Sequence, residues 1–363
     1  MRRLIFHPCG NFNERYEQEL TIFETDFGRV SLWIGLFFVF IIIPLLFKTT
    51  FAISSPYFFY ILNLAGIAAI ASIGLNLLMG FTGQISLGHG AFVGVGAYSA
   101  AILATRLHFP FWISVPAAGL LTAMVGLIFG IPSGRLKHLY LTIATLAGQF
   151  IIEYVLVHWE SVTQGTMGII LPTATIFGLS LGSDLSFYIV IYLSLVLMTW
   201  IGVNIVRTRY GRAFIAIRDN DMAAAGMGIH LFRYKLLSFA ISSFYAGIAG
   251  GFLAYYTISI TPEPFNLFLS IEYIAMVIIG GLGNIAGSIY GAMFITLLVE
   301  ALRWGTEILM NIDILRNVAI TIAPLREFVF GLAIVLFILF EPKGLAEVWR
   351  IVRSSFRLWP FSY

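Results

Sequence analysis

The stretch that most constrains this chain is Met79-Gly80-Phe81-Thr82-Gly83-Gln84-Ile85-Ser86-Leu87-Gly88-His89-Gly90-Ala91-Phe92. It separates two apolar segments, Tyr57 to Leu78 and Ala91 to Thr105, with four glycines and the polar side chains of Thr82, Gln84, Ser86 and His89. In hydrocarbon, non-helical backbone is tolerated only where protein or a water-filled cavity covers it. The break therefore belongs inside a bundle, at a cytoplasmic turn, or beside a solute path. One reading has the four polar groups satisfying freed backbone; the other has them lining a path.

Composition sets the class. Of 363 residues, 59% are hydrophobic and only 11% charged, against roughly a quarter charged in soluble domains. The expectation is an all-α polytopic membrane protein in contact with lipid. A net charge of +3 gives no reason to invoke nucleic acid, and the single cysteine, Cys9, excludes an internal disulfide framework. No group of Cys, His and carboxylates suggests a metal, and no catalytic residue is assigned. Ser86 and His89 share one loop, but no third group is evident to orient them as a nucleophile and base.

A membrane-spanning helix needs roughly 20 apolar residues. The candidates are Ser31–Phe47, Tyr57–Gly80, Ala91–Thr105, Phe111–Ile131, Leu139–Val157, Phe187–Val206, Leu236–Tyr256, Ile271–Leu282, Ile285–Leu302 and Phe328–Phe340. That predicts about ten crossings, with Ala91–Thr105 and Ile271–Leu282 short enough to be half-helices. Lys and Arg in short loops mark the cytoplasmic side. They cluster at Arg135 and Lys137, between Arg207 and Lys235, and in the tail at Lys343, Arg350, Arg353 and Arg357. The loops His158–Leu185 and Thr257–Ser270 contain neither and should lie outside. Parity then puts both termini in the cytoplasm if Ile271–Leu302 crosses twice. Three regions are expected: a cytoplasmic leader over 1–30, a transmembrane domain over 31–345, and a basic cytoplasmic tail over 346–363.

Two further stretches carry pattern. In Ile278-Ile279-Gly280-Gly281-Leu282-Gly283-Asn284-Ile285-Ala286-Gly287-Ser288-Ile289-Tyr290-Gly291, Gly283, Gly287 and Gly291 recur every four residues, the small-residue spacing of close helix contact. Gly280 and Gly281 are candidates for a gate or hinge. The loop Tyr210–Ile229 reads as two short helices. Asp219 or Asn220 can cap the second, Asp221 suits its positive end, and Gly226 and Gly228 end it. Its Ala223-Ala224-Ala225 face is small enough for a soluble partner to approach closely.

With these residues in view, the sequence resembles the LivM-type permeases of branched-chain amino acid importers of the ATP-binding-cassette class. The resemblance rests on Gly80 to Phe92, Gly211-Arg212 through Arg218-Asp219, Ala223 to Ile229, Arg233 to Leu236, Gly280 to Gly283, and Glu341-Pro342-Lys343-Gly344-Leu345. It implies a transport subunit in a bacterial inner membrane, paired with a second permease, two cytoplasmic ATPases and a periplasmic solute-binding protein. It further implies that Gly211, Arg212, Arg218, Asp219, Asp221, Ala223, Ala224, Ala225, Gly226 and Gly228 couple to the ATPase. Thr82, Gln84, Ser86, His89, Gly280, Gly281 and Gly283 would flank the translocation path. ATP and Mg would belong to the partner subunits. Agreeing with that, none of the four lysines follows the glycine frame of a phosphate loop. The alternatives are a permease for urea or short amides, or an ion-coupled secondary transporter, which would normally need mid-membrane charges.

Overall fold

The computed structural model describes residues 55–134, 138–176, 179–310, 326–341, 344–348 and a few single positions. The chain divides into two units, residues 1–59 and 60–363, and nearly all described residues belong to the second. The expected leader, the run Ser31–Phe47 apart from Phe37, Val39, Phe40 and Pro44, and the basic residues Arg135, Lys137, Lys343, Arg353 and Arg357 lie outside the described residues.

The helices follow the apolar runs. They are α1 (Ser55–Thr82), α2 (His89–Arg106), α3 (Phe111–Gly130), α4 (His138–His158), α5 (Asp184–Arg207), α6 (Arg209–Asp219), α7 (Asp221–Gly226), α8 (Leu231–Thr257), α9 (Leu267–Gly280), α10 (Ile285–Met310) and α11 (Arg326–Phe340). Between α4 and α5, and again after α8, the backbone forms two-residue strands: β1 (Ile169–Ile170), β2 (Thr175–Ile176), β3 (Leu179–Ser180) and β4 (Ser259–Ile260). β1 pairs antiparallel with β4, and β2 with β3. These ribbons mark one end of the bundle, and the α6–α7 arm marks the other. They are the departure from the all-helical expectation, and they give loop backbone outside the helices its hydrogen-bond partners.

Among the described residues, six helices are long and apolar enough to cross a bilayer: α1, α3, α4, α5, α8 and α10. The ten crossings expected from sequence are not reached by that measure. α2, α9 and α11, of 18, 14 and 15 residues, fall outside it.

The two short helices near the break have a structural reason. α1 descends to Thr82 at the arm end, and the chain then turns back. His89 lies beside Ala71, its Nε2–H donating to the Ala71 carbonyl at 2.9 Å. Ala71 is eleven residues above Thr82, about 16 Å along α1. Residues 83–88 therefore climb without helix, and α2 completes the ascent to the ribbon end. There the Arg106 guanidinium donates to the carbonyls of Ser161 and Val162. α9 is the complement. After α8 the chain descends irregularly through residues 261–266, then runs as helix to Gly280 beside the end of α1. α2 is the helix on the ribbon side of this pair and α9 the helix on the arm side. The first turns of α2 and α9 meet mid-bundle, where Gly90 N–H donates to Ser270 Oγ at 2.8 Å.

α8 holds α2 and α3 at close range. A Cβ on Gly247 would meet Thr122 and the Gly119 backbone, and one on Gly250 would meet the Val93 carbonyl. Small residues here let the helix backbones approach, as they commonly do in membranes.

Candidate functional site

The polar side chains of the break point inward, while Ile85 is exposed. Thr82, Gln84, Ser86 and His89 are each buried. α1 ends on Gly83, whose φ of +73° supplies the left-handed turn that closes helices with glycine; its N–H donates to the Met79 carbonyl at 3.2 Å. Thr82 Oγ1 donates back to the Leu77 carbonyl at 3.1 Å. Gln84 Nε2 donates to Ser238 Oγ at 2.8 Å and to the Lys235 carbonyl at 3.3 Å, while its Oε1 has no hydrogen-bond partner. Ser86 Oγ accepts from Gly88 N–H at 3.4 Å. His89 turns away to Ala71 and meets the Tyr273 ring edge-on at 5.5 Å between centroids. The serine and the imidazole thus have separate partners, and no nucleophile–base pair is built.

Neighbouring helices supply what the broken backbone lacks. Leu87 N–H donates to Thr145 Oγ1 at 3.0 Å. Ala91 N–H donates to Gln149 Oε1 at 2.9 Å, and Ser270 Oγ donates to the same oxygen at 2.9 Å. Gln149 Nε2 in turn donates to the Phe265 carbonyl at 2.8 Å. The N-terminal donors of α2 are orphans of helix geometry, and here they are met by side chains of α4 and α9.

The two glycine breaks touch. Asn76, on α1 one turn before Gly80, accepts from Gly283 N–H at 2.9 Å. Its Nδ2 donates to the Asn284 carbonyl at 2.8 Å and to Ser288 Oγ at 2.7 Å. A Cβ on Gly80 would fall on Asn76 Oδ1 and Gly283 N. Gly281 and Gly283, at φ of +114° and +75°, turn α9 into α10. The hairpin packs through glycine, as the four-residue spacing predicts: a Cβ on Gly287 would meet the Gly280 carbonyl, and one on Gly291 the Met276 carbonyl.

Arg218 joins the arm to both breaks. It lies in the last turn of α6, its Nη1 donates to the Gly80 carbonyl at 3.0 Å, and its stem covers Gly83, where a Cβ would meet Arg218 Cγ at 3.1 Å. A Cβ on Gly283 would meet the same Nη1, also at 3.1 Å. Asp219 neutralises the guanidinium at 3.0 Å. Asn220 rather than Asp219 caps α7, its Oδ1 accepting from Ala223 N–H at 3.0 Å. Asp221 opens α7 and pairs with Lys235 on α8 at 3.5 Å. Gly228, at φ +84°, follows the end of α7.

The arm's outer face differs in detail from expectation. Ala224 is buried against this chain, while Ala223, Ala225, Met222 and Met227 are exposed. Gly211 is buried in the turn from α5, where a Cβ would strike the Val206 carbonyl. Arg212 is exposed, and Gly226 has open space around it. Asn76, Thr145, Gln149, Ser238, Ser270 and Ser288 were not anticipated. Their signal is a lone amide or hydroxyl in an apolar helix, which in a membrane points to a buried partner.

Six helices long and apolar enough to span a bilayer, with two glycine breaks in contact and an arm tied to both, define a polytopic membrane protein. The chain belongs to the family of permease components of branched-chain amino acid transport systems, whose model matches residues 57–338. It is 30% identical over 314 residues to the high-affinity branched-chain amino acid transport system permease protein LivM of Escherichia coli strain K12, covering 80% of this chain and 70% of that one. A probable branched-chain amino acid transport permease protein LivM of Methanocaldococcus jannaschii is 25% identical, with coverage of 77% and 90%. The probable LivH permease of the same archaeon is 28% identical, with coverage of 64% and 75%. No solved structure gives a significant match.

Proposed function

We propose that this chain is one permease subunit of an ATP-driven importer that carries branched-chain amino acids (Leu, Ile and Val) across a bacterial inner membrane. The observation that carries the reading is Arg218, which fastens the extramembrane arm to the Gly80 carbonyl and lies against Gly83 and Gly283. A partner that moves the arm thereby moves both broken crossings. In this reading the arm end is cytoplasmic, the ribbon end is external, both termini are cytoplasmic, and ten crossings are made. Met222, Ala223, Ala225 and Met227 present the surface for an ATPase, and ATP with Mg binds there and not in this chain.

Conformational work by the ATPase requires contacts that differ between states. The glycine-built contact between Gly80 and Gly283 is the element such work would open. Two ATPases, a second permease and an external solute-binding protein complete the assembly. Similarity to both LivM-named and LivH-named permeases supports pairing with a second permease.

Tagged purification in mild detergent, followed by reconstitution with the co-purifying chains, tests the assignment. ATP-dependent leucine uptake that requires a solute-binding protein is expected. A lone chain in conditions that preserve other membrane complexes, or uptake driven by an ion gradient alone, would overturn it.

A further inference from the structure

Thr82, Gln84, Ser86 and His89, the side chains that the sequence sets beside a path, are buried. Other polar groups stay open, on the chain that leads into α9. After β4, Phe265 N–H donates to the Pro262 carbonyl at 3.1 Å and closes a turn. Asn266 then caps α9, its Oδ1 accepting from Leu269 N–H and its Nδ2 donating to the Glu263 carbonyl, both at 3.3 Å. Phe265 is buried against the bundle: a Cβ on Gly94 would meet its ring, and its carbonyl accepts from Gln149 Nε2 at 2.8 Å. Glu263, Pro264 and Asn266 are exposed, and Glu272, further along α9, is half-buried.

Depth gives this exposure its meaning. A Cβ on Gly90 would meet the Asn266 carbonyl at 3.3 Å, so Asn266 shares the level of Gly90. Arg106, at the ribbon end, lies sixteen residues further along α2, about 24 Å. Toward the arm, Gly90 adjoins His89 and so Ala71, about 16 Å from Thr82. The hydrocarbon layer is about 30 Å thick, which puts Asn266 near its middle. Backbone without helix is tolerated there only under protein or beside water, and carboxylates at membrane depth obey the same rule. This chain leaves Glu263, Pro264 and Asn266 open. Water is the cover that hydrates an exposed carboxylate without a built partner.

We infer that residues 261–266 and α9 as far as Glu272 form the wetted wall of the solute path at mid-membrane. The wall stands on a joint. α9 ends on Gly281 and Gly283, both at positive φ, and Arg218 lies against Gly283. A tilt of α9 about that joint widens or narrows the path at Asn266 and Glu272, while the buried stretch from Thr82 to His89 stays packed. The inference rests on the chain being a permease and not on the importer reading or its solute.

The test uses the assembled complex in permeabilised membranes, with Cys9→Ser as background and one thiol introduced as Glu263→Cys, Ile271→Cys or Ile151→Cys. Ile271 is exposed on α9. Ile151 is exposed too. It lies about 200° round α4 from Gln149, which bonds Ala91 and Ser270 at the same depth, and so faces away from that network. The probe is 2-(trimethylammonio)ethyl methanethiosulfonate, a water-borne reagent that attacks the thiolate. Labelling is timed at rest and during ATP turnover. In at least one of these conditions Glu263→Cys and Ile271→Cys should react about tenfold faster than Ile151→Cys or more, because hydrocarbon disfavours the thiolate. Their modification should also slow uptake of radiolabelled L-leucine. ATPase retention on size exclusion identifies assembled variants, and either assembled wall variant suffices. Labelling no faster than at Ile151→Cys in both conditions would overturn the path. Fast labelling seen only when the chain is expressed alone would assign this face to a second permease and overturn it as well. Uptake in the unlabelled background is read separately: its absence removes the importer reading and leaves the labelling contrast standing.

Discussion

Asn76 sits one turn before Gly80, accepts from Gly283 N–H and donates to the Asn284 carbonyl and Ser288 Oγ. Replacing it with Ala leaves the Gly283 N–H without its acceptor, at about 1–3 kcal/mol; the Asn284 carbonyl and Ser288 Oγ keep their bond to each other. A lower melting temperature in detergent, with insertion intact, is the expected outcome; unchanged melting would mean that the contact carries no stability. Gly80→Ala acts on the same contact by bulk. The new Cβ would fall on Asn76 Oδ1 and Gly283 N, and overpacking costs about 1–3 kcal/mol. Uptake should drop sharply, and wild-type uptake would separate the Gly80 contact from transport. Neither role follows from local pattern. The sequence shows a lone Asn in an apolar run and glycines two hundred residues apart, and only packing reveals that they meet.

Among elements, the arm carries the sharpest expectations. Arg218→Lys keeps the charge but loses the planar fork that lets one residue bond Gly80 and Asp219 together. ATP hydrolysis by the assembled complex should persist while uptake falls, measured side by side in liposomes; parallel loss of both would place Arg218 in docking and not in coupling. Asn220→Ala removes the α7 cap, a change of about 0.5–2 kcal/mol. It should weaken ATPase association in a pull-down, and undiminished association would show that the cap is dispensable. The arm was the most legible part of the chain because caps, acids and glycines act within a few residues of one another. Apolar runs placed α1 to α5 and α8 to α11 within a few residues, apart from the longer starts of α8 and α9 and the longer end of α10. The climb of residues 83–88 was legible only as a break. Its direction depends on His89 finding Ala71, and its cover on Thr145, Gln149 and Ser270, none of which announces itself in sequence. The Ala223–Ala225 triplet marked the right helix but not its face, because burial of Ala224 is decided by the rest of the bundle.

For the whole molecule, sidedness is the testable quantity. With Cys9→Ser as background, Met222→Cys and Met167→Cys place thiols on exposed residues at the arm end and the ribbon end. A membrane-impermeant maleimide should label Met167→Cys in intact spheroplasts and Met222→Cys only after lysis. The reverse pattern would invert the orientation.

The climb from Gly83 to Gly88 also dictates a history for the chain. Its hydrogen-bond partners are made late: Thr145 lies 58 residues beyond Leu87, Ser238 lies 154 beyond Gln84, and Ser270 lies 180 beyond Gly90. During synthesis, Gly83, Gln84 and Gly88 N–H find partners nearby, but the Leu87 and Gly90 amides and the Gln84 side chain emerge without theirs. Until α4, α8 and α9 arrive, that gap needs shelter from lipid, in the insertion machinery or at the headgroup layer. A ribosome stalled before residue 145 should therefore leave α2 outside the bilayer, and one stalled after residue 270 should not.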